Sequence, residues 1–172
     1  HWMDENPPQF SINWDCAMDV AIRAVNWTVA CGFFFQSPSL SSEFKRRLVK
    51  NLLSHGRFVF ENLEYYEAEI SGEIQRLNSN HYLSNLAGLI FISSACPFFK
   101  ESHEWMDYST RELFREIEEQ VYPSGVDYEH SVSYHRLVLE LFLYSILVLM
   151  GNGVTIPLRV MNRLERMFDY VL

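Results

Sequence analysis

The stretch NSNHYLSNLAGL, residues 78–89, places Asn80 and His81 directly before an apolar run. Asn and Ser are favoured N-cap residues, so either Asn78 or Ser79 is expected to cap a helix that begins here. A cap explains one polar residue and leaves Asn80 and His81 without a role. Because an amide can hydrogen-bond an anion and an imidazole can transfer a proton near neutral pH, these two residues could also form part of a site.

A second polar cluster lies in MDVAIRAVNW, residues 18–27, which has helical spacing of its apolar residues. Asp19 and Arg23 are four residues apart and could form a surface ion pair on one face of that helix. Arg23 and Asn26 share a side of the helix, so they are also candidates for lining a binding site. The spacing alone leaves both interpretations open.

The third cluster is DYEHSVSYHR, residues 127–136, at the start of another expected helix. A cap at Ser131 or Ser133 needs only one hydroxyl. The cluster carries many more polar groups than that: Asp127, Tyr128, Glu129, His130, Tyr134, His135 and Arg136. Asp127 and Glu129 could serve as the two carboxylates of a glycosidase, although two residues of one loop rarely face each other across a sugar ring.

Neither a metal site nor a cofactor is predicted for this chain. His130 and His135 are five residues apart and point to different helix faces, there is no HExxH motif, and no acidic residues are grouped around His81. The cysteines show no CxxC spacing and are odd in number, so buried thiols are expected at Cys16, Cys31 and Cys96. A serine nucleophile is not indicated, since no GxSxG motif occurs.

The composition indicates one folded domain over residues 1–172, with 48% apolar residues and a formal net charge of −8. This acidic balance argues against nonspecific binding to nucleic acid or to an anionic membrane. The longest apolar run, residues 137–150, is too short for a membrane span and contains Glu140, so a core helix is expected. The first residues resemble no signal peptide, and the chain is expected to be a piece of a longer protein.

Helical periodicity recurs along the chain, and no strand alternation persists. Pro97 and the loops SPSLSS, YPSGVDYEHS and GNGV supply the breaks between helices. The fold class predicted is all-α, with stacked antiparallel helix hairpins. Six helices are expected, at about 15–36, 42–63, 80–96, 100–120, 131–150 and 155–171.

Three segments together resemble the heparinase II/III-like polysaccharide lyases: ENPPQFSINWDCAMDVAIRAVNW, NSNHYLSNLAGL and EEQVYPSGVDYEHSVSYHR. Their order and spacing are similar to those of the family over most of residues 4–150. The resemblance implies the family's N-terminal helical domain, part of an incomplete (α/α) toroid. It also implies an acidic, uronic-acid-containing polysaccharide as the substrate, cleaved by β-elimination, and a β-sandwich domain that would follow elsewhere in the parent protein.

The resemblance also assigns roles to individual residues. Asn80 would neutralise the uronate carboxylate, and His81 would assist or act as base on one substrate epimer. Tyr134 would donate the proton to the departing O4 oxygen and could also be the base. A tyrosine with the usual pKa of about 10 is a poor base at neutral pH, so nearby cations are expected to lower it. The residues expected to line the substrate are Arg23, Asn26, Glu129, His135 and Arg136.

Two loop residues depart from the family pattern. Ser124 stands where Asp is usual and His130 where Gln is usual, and these two loop positions bear on the choice of substrate and not on the type of reaction. Further family residues belong to the β-sandwich domain and lie outside this chain. The resemblance implies a periplasmic or secreted location. A carbohydrate-binding scaffold without catalysis and a toroidal hydrolase using Asp127 and Glu129 are the alternatives.

Overall fold

The computed structural model describes residues 1–70 and 72–171, and helices dominate them. In chain order, the helices are α1 (Trp2–Glu5), α2 (Ala17–Phe34), α3 (Ser42–Glu61), α4 (Asn80–Ala95), α5 (Ser102–Gln120), α6 (Val132–Gly151) and α7 (Leu158–Val171). A 3-10 turn at Ile12–Trp14 precedes α2. The six helices expected from the sequence correspond to α2–α7, so the helical part of the prediction is confirmed.

A β-hairpin between α3 and α4 is the main departure from the expected structure. Strand β1 (Tyr66–Ile70) pairs antiparallel with β2 (Glu73–Leu77), and Gly72 takes φ +85° in the turn. The expectation of no strand was wrong, because five-residue strands are too short for a persistent alternation. A tertiary contact anchors the hairpin, since Arg76 donates to Glu112 of α5 at 2.9 Å and lies 4.1 Å from the Tyr65 ring centroid.

Helix α4 lies at the centre of the fold and contributes to two apolar clusters. Leu83 and Ile90 pack with residues of α5, α6 and α7, whereas Leu89 and Ile92 pack with residues of α2, α3 and α5. The helix is apolar on nearly all sides, as expected for an element surrounded by others. The position of α4 is therefore fixed by helices packed on both of its sides. This packing also fixes the positions of Asn80 and His81 at its start.

A glycine allows α2 and α4 to approach each other closely. A methyl group at Gly88 would lie 2.8 Å from Cβ of Ala21 and 2.9 Å from its Cα, so no larger residue fits without a shift. Real Cβ atoms do not come this close to neighbouring carbons, because interiors are packed at van der Waals distances. The pair Ala21–Gly88 thus marks a close contact about one turn into α2 and about two turns into α4.

Helix α6 is apolar over most of its length. By length and composition it could cross a membrane, a criterion that core helices also meet. In this fold Val138, Phe142 and Ile146 are buried in the cluster formed by α4, α5, α6 and α7. The expectation that this apolar run forms a core helix agrees with that packing.

Candidate active site at three helix N-termini

The N-termini of α2, α4 and α6 lie at the same end of the fold. Cys16, which precedes α2, contacts Glu64, and Glu64 contacts His81 in the first turn of α4. Asn80, the first residue of α4, contacts Glu129 in the loop before α6. Since each helix N-terminus carries about half a positive charge, this end of an acidic chain offers a favourable place for an anion.

Serine side chains cap two of these helices. The Ser79 hydroxyl accepts from the backbone N–H of His81 at 3.2 Å, and the Ser131 hydroxyl accepts from that of Tyr134 at 3.5 Å. Of the two residues considered for each cap, the structure uses Ser79 and Ser131. The side chain of Asn80 is consequently not used as a cap.

Asn80 is oriented by a carboxylate from another element. Its side chain is 5% exposed, and Nδ2 donates to Oε1 of Glu129 at 2.7 Å. One of the two amide hydrogens is used by this bond, and the other can serve a ligand. The structure brings together Asn80 and Glu129, two of the residues singled out in the sequence, and shows Glu129 as a partner of Asn80.

His81 points away from the core beside Asn80 and is half-exposed. Its Nδ1 lies 3.0 Å from Oε1 of Glu64, whose second oxygen accepts from Nδ2 of Asn85 at 3.0 Å. An ionised Glu64 accepts from Nδ1–H, which makes Nε2 the acceptor nitrogen of a neutral imidazole. The pair Glu64–His81 is thereby arranged like an oriented general base.

Glu64 is the residue of this site that sequence reasoning missed. Burial alone would raise the pKa of its carboxyl, but hydrogen bonds from His81 and Asn85 outweigh burial and lower that pKa. Its backbone N–H also donates to Oδ1 of Asn85 at 2.8 Å. No local pattern marks Glu64, because it follows α3 in an ordinary polar turn and meets His81 only through the fold.

Asp127 and His135 support the loop before α6. The Asp127 side chain is fully buried and accepts from the backbone N–H of Glu129 at 3.1 Å. His135, 1% exposed, bonds through Nε2 to the Met167 carbonyl at 3.0 Å and accepts through Nδ1 from the Asp127 backbone at 3.3 Å. His135, which the sequence grouped with the substrate-lining residues, thus lies within the protein, with both ring nitrogens in contact with backbone groups.

Tyr134 and Arg136 lie on the outer side of the first turns of α6. The Tyr134 side chain is 47% exposed, and Arg136 is exposed as well. Glu129 connects this helix start to Asn80, so Tyr134 and Asn80 stand at neighbouring helix N-termini. Both Tyr134 and Arg136 remain accessible to a large ligand.

Arg23 is held within the fold by neighbouring groups. Its Nε donates to Nε2 of His55 at 3.0 Å, and its guanidinium lies 4.6 Å from the Trp2 ring centroid and 5.4 Å from that of Trp14. The sequence suggested an ion pair with Asp19 or a place in the site. The structure instead gives Arg23 a partner on α3, which the helical spacing could not reveal.

Asn26 faces an apolar groove between α2, α4 and α6. The groove has a volume of about 650 Å³, and its polar side chains include Asn26, Glu140 and Tyr144. Asn26 is thus separated from the Asn80 group, although both lie along the same three helices. Among the described residues, the hydrogen bonds of Asn80 and His81 involve neither Arg23 nor Asn26.

Antiparallel helix hairpins with a polar site at gathered helix N-termini define part of an (α/α) toroid. The family model for the heparinase II/III N-terminus matches residues 1–172, and the chain belongs to that family. The resemblance inferred from the three segments is confirmed.

Two curated relatives are heparin-sulfate lyases. The protein from Bacteroides stercoris is 26% identical over 155 residues, and that from Pedobacter heparinus is 25% identical over 146 residues. These alignments cover 89% and 83% of this chain. The chain spans only about a fifth of either relative, 22% and 20% of their lengths.

Solved structures share the fold. A crystal structure of heparinase III superposes with a TM-score of 0.78 and 19% identity over 99% of this chain and 25% of its own. The heparan sulfate lyase HepC from Pedobacter heparinus gives a TM-score of 0.70 and 22% identity over 98% of this chain and 26% of its own. The all-α toroid fold predicted for the chain is therefore confirmed.

Proposed function

We propose that this chain is the helical part of a polysaccharide lyase that cleaves a uronic-acid-containing polysaccharide by β-elimination. The observation that carries the proposal is the pairing of Asn80 with Glu129 and of His81 with Glu64 at the gathered helix N-termini. Relatives named heparin-sulfate lyases support heparan sulfate as the substrate to test first.

In this proposal Asn80 acts on the uronate carboxylate. The amide N–H that Glu129 leaves available donates to that carboxylate, and the N-terminus of α4 adds its positive potential. As the C5 proton leaves, negative charge spreads from C5 into the carboxyl group. A donor held in place before the reaction stabilises this charge without reorganising, which makes the C5 proton more acidic.

Tyr134 and His81 carry the proton transfers. A base removes the proton from C5, the C4–O4 bond breaks, and a double bond forms between C4 and C5. The departing O4 oxygen receives a proton from the Tyr134 hydroxyl. His81, with Nε2 as acceptor, is the base for the epimer whose C5 proton lies on its side. For the other epimer, Tyr134 in its ionised form removes the C5 proton and then passes that proton to O4.

The surrounding residues set the geometry of these groups. Glu129 fixes the amide of Asn80, and Glu64 fixes the imidazole of His81. Arg136 is exposed on the same helix as Tyr134 and can bind further acidic groups of the polymer. The family resemblance implies additional site residues in a β-sandwich domain, so the 172-residue chain alone is expected to bind weakly and to turn over little or nothing.

The test is the ultraviolet absorbance of unsaturated uronate, measured with the natural protein that carries this chain. Heparan sulfate, alginate, hyaluronan and chondroitin form the substrate panel. We expect absorbance to rise with heparan sulfate and to fall at least a hundredfold in Tyr134→Phe and Asn80→Ala, because a positioned proton donor contributes roughly 10²–10⁴-fold. Tyr144→Phe is the matched control, since Tyr144 is similarly exposed on α6 but about 15 Å along the helix.

Other outcomes would point to the alternatives. New reducing ends without unsaturated product would indicate a hydrolase, but the burial of Asp127 speaks against the pair Asp127 and Glu129. Binding of the polysaccharide without either product, unchanged in Tyr134→Phe, would indicate a carbohydrate-binding scaffold. Full activity in Tyr134→Phe would exclude the assigned proton donor.

A further inference from the structure

Three potential metal ligands meet where α2, the hairpin and α4 begin. The Sγ atom of Cys16 lies 3.6 Å from Oε1 of Glu64, and Nδ1 of His81 lies 3.0 Å from the same oxygen. All three ligand atoms are within 4.8 Å of one another. They come from positions 16, 64 and 81, which are far apart in the chain, so only the fold assembles them.

The spacing of these atoms is close to that of ligands on a tetrahedral ion. With Zn–N and Zn–O bonds of about 2.0–2.2 Å and Zn–S bonds of about 2.3 Å, neighbouring ligand atoms are roughly 3.3–3.8 Å apart. The two distances that involve Glu64 are near this range. The third distance, between Sγ of Cys16 and Nδ1 of His81, is at most 4.8 Å.

The chemistry of the three ligands selects the type of cation. Thiolate and imidazole favour zinc and cadmium, whereas calcium and magnesium require oxygen ligands. A bound cation deprotonates its thiol ligand outright.

The neighbourhood resembles the outer shell of a metal site. Asn85 holds the second oxygen of Glu64 at 3.0 Å, as outer-shell groups commonly hold ligating carboxylates. His81 is half-exposed, which leaves an entry path and a fourth position for water.

We propose that Cys16, Glu64 and His81 form a binding site for one divalent cation of the zinc and cadmium type. The bound cation ties together the starts of α2 and α4 and the segment before β1. The cation would also bind the Nδ1 atom of His81. It would therefore replace the hydrogen bond between His81 and Glu64 that orients the imidazole. The site does not depend on the proposed lyase activity, because its binding can be measured without substrate.

Cadmium titration of the natural protein that carries this chain tests the proposal, with thiolate-to-cadmium absorbance and calorimetry compared between wild type and variants. We expect one cadmium ion per chain, with the absorbance lost in Cys16→Ser and retained in Cys31→Ser. Cys31 is the matched control, because it is also a half-buried free cysteine in α2. Zinc should displace cadmium, and Glu64→Gln and His81→Ala should each weaken binding at least tenfold.

Circular dichroism of each variant shows whether it retains the helical fold. If Cys16→Ser fails to fold, the cadmium affinity of His81→Ala tests the proposal instead. His81 is half-exposed, so its replacement should leave the core intact. Absorbance that persists in Cys16→Ser, or that disappears in Cys31→Ser, would assign cadmium to other thiols and overturn the proposal. A folded wild-type chain that binds no cadmium would overturn it as well.

Discussion

Nδ2 of Asn80 donates to Oε1 of Glu129 at 2.7 Å, across 49 residues of sequence. The bond joins the first residue of α4 to the loop that leads into α6. It orients the amide of a residue that is only 5% exposed. It also places a carboxylate close to the position where an anionic substrate would bind, so the positive ends of the helices must offset that charge.

Glu129→Ala should reduce activity because the amide of Asn80 is no longer held in position. Glu129 itself is not a reacting group. A hydrogen bond to a charged partner contributes about 1.5–3 kcal/mol, so kcat/KM should fall roughly 10- to 100-fold. Glu129→Gln keeps an acceptor for Asn80 and removes the negative charge, so it should retain most of kcat and lower KM. Steady-state kinetics of both variants checks this, and equal losses in the two would contradict the positioning role.

Gly88→Ala should destabilise the fold by about 1–3 kcal/mol, because overpacking forces neighbouring atoms to shift. The new methyl group would lie 2.8 Å from Cβ of Ala21. Gly32→Ala is the matched control, since a methyl group there meets nothing within 4 Å. In α2, that change should stabilise by up to about 1 kcal/mol through helix propensity. Urea unfolding of both variants gives the comparison, and similar stabilities would disprove the close contact.

His55 should make stability depend on pH. Burial, which outweighs the hydrogen bond to Asn51, lowers its pKa from 6.5 to about 4, and the nearby Arg23 charge acts in the same direction. As pH falls from 6.5 towards 4, His55 is therefore protonated in the unfolded chain but stays neutral in the folded chain. Stability from this group is present above pH 6.5, and about 2 kcal/mol of it should be lost between pH 7 and pH 5.

Urea unfolding at these two pH values measures the effect. His55→Gln removes the titrating group, so its stability should change with pH by about 2 kcal/mol less than that of the wild type. His103→Gln is the control, because it also replaces a histidine but keeps His55, so the pH dependence that arises from His55 should persist. The same pH dependence in His55→Gln and in the wild type would rule out His55 as the source.

Arg76→Ala should loosen the hairpin from α5. Arg76 donates to the buried carboxylate of Glu112 and lies over the Tyr65 ring, and its loss should cost about 1–3 kcal/mol. Arg46→Ala removes an exposed ion pair with Glu43 and should cost at most about 1 kcal/mol. Thermal unfolding compares the two, and faster proteolysis near residue 72 should accompany Arg76→Ala. A cost no greater than that of Arg46→Ala would show that the hairpin is held by other contacts.

Local patterns were sufficient for the six long helices but did not indicate the short α1. The spacing of apolar residues predicted α2–α7, and the serine caps and the break at Pro97 predicted their ends to within a few residues. The hairpin was missed because its strands are short and its anchor, Glu112, lies more than 30 residues away. The hydrophobic periodicity and the strand propensity of a segment carry no information about a contact between residues so far apart in the chain.

The sequence by itself determined the helices, the family and the candidates Asn80, His81 and Tyr134. The helices follow from the spacing of apolar residues, whereas the family and these three candidates follow from the resemblance of three segments to a known family. Only the tertiary structure decided that Glu129 serves Asn80, that Glu64 serves His81, and that Arg23 and His135 are held within the protein. The reason is physical: a hydrogen-bond partner is chosen by which helix ends come together, and that depends on the packing of α4 between its neighbours.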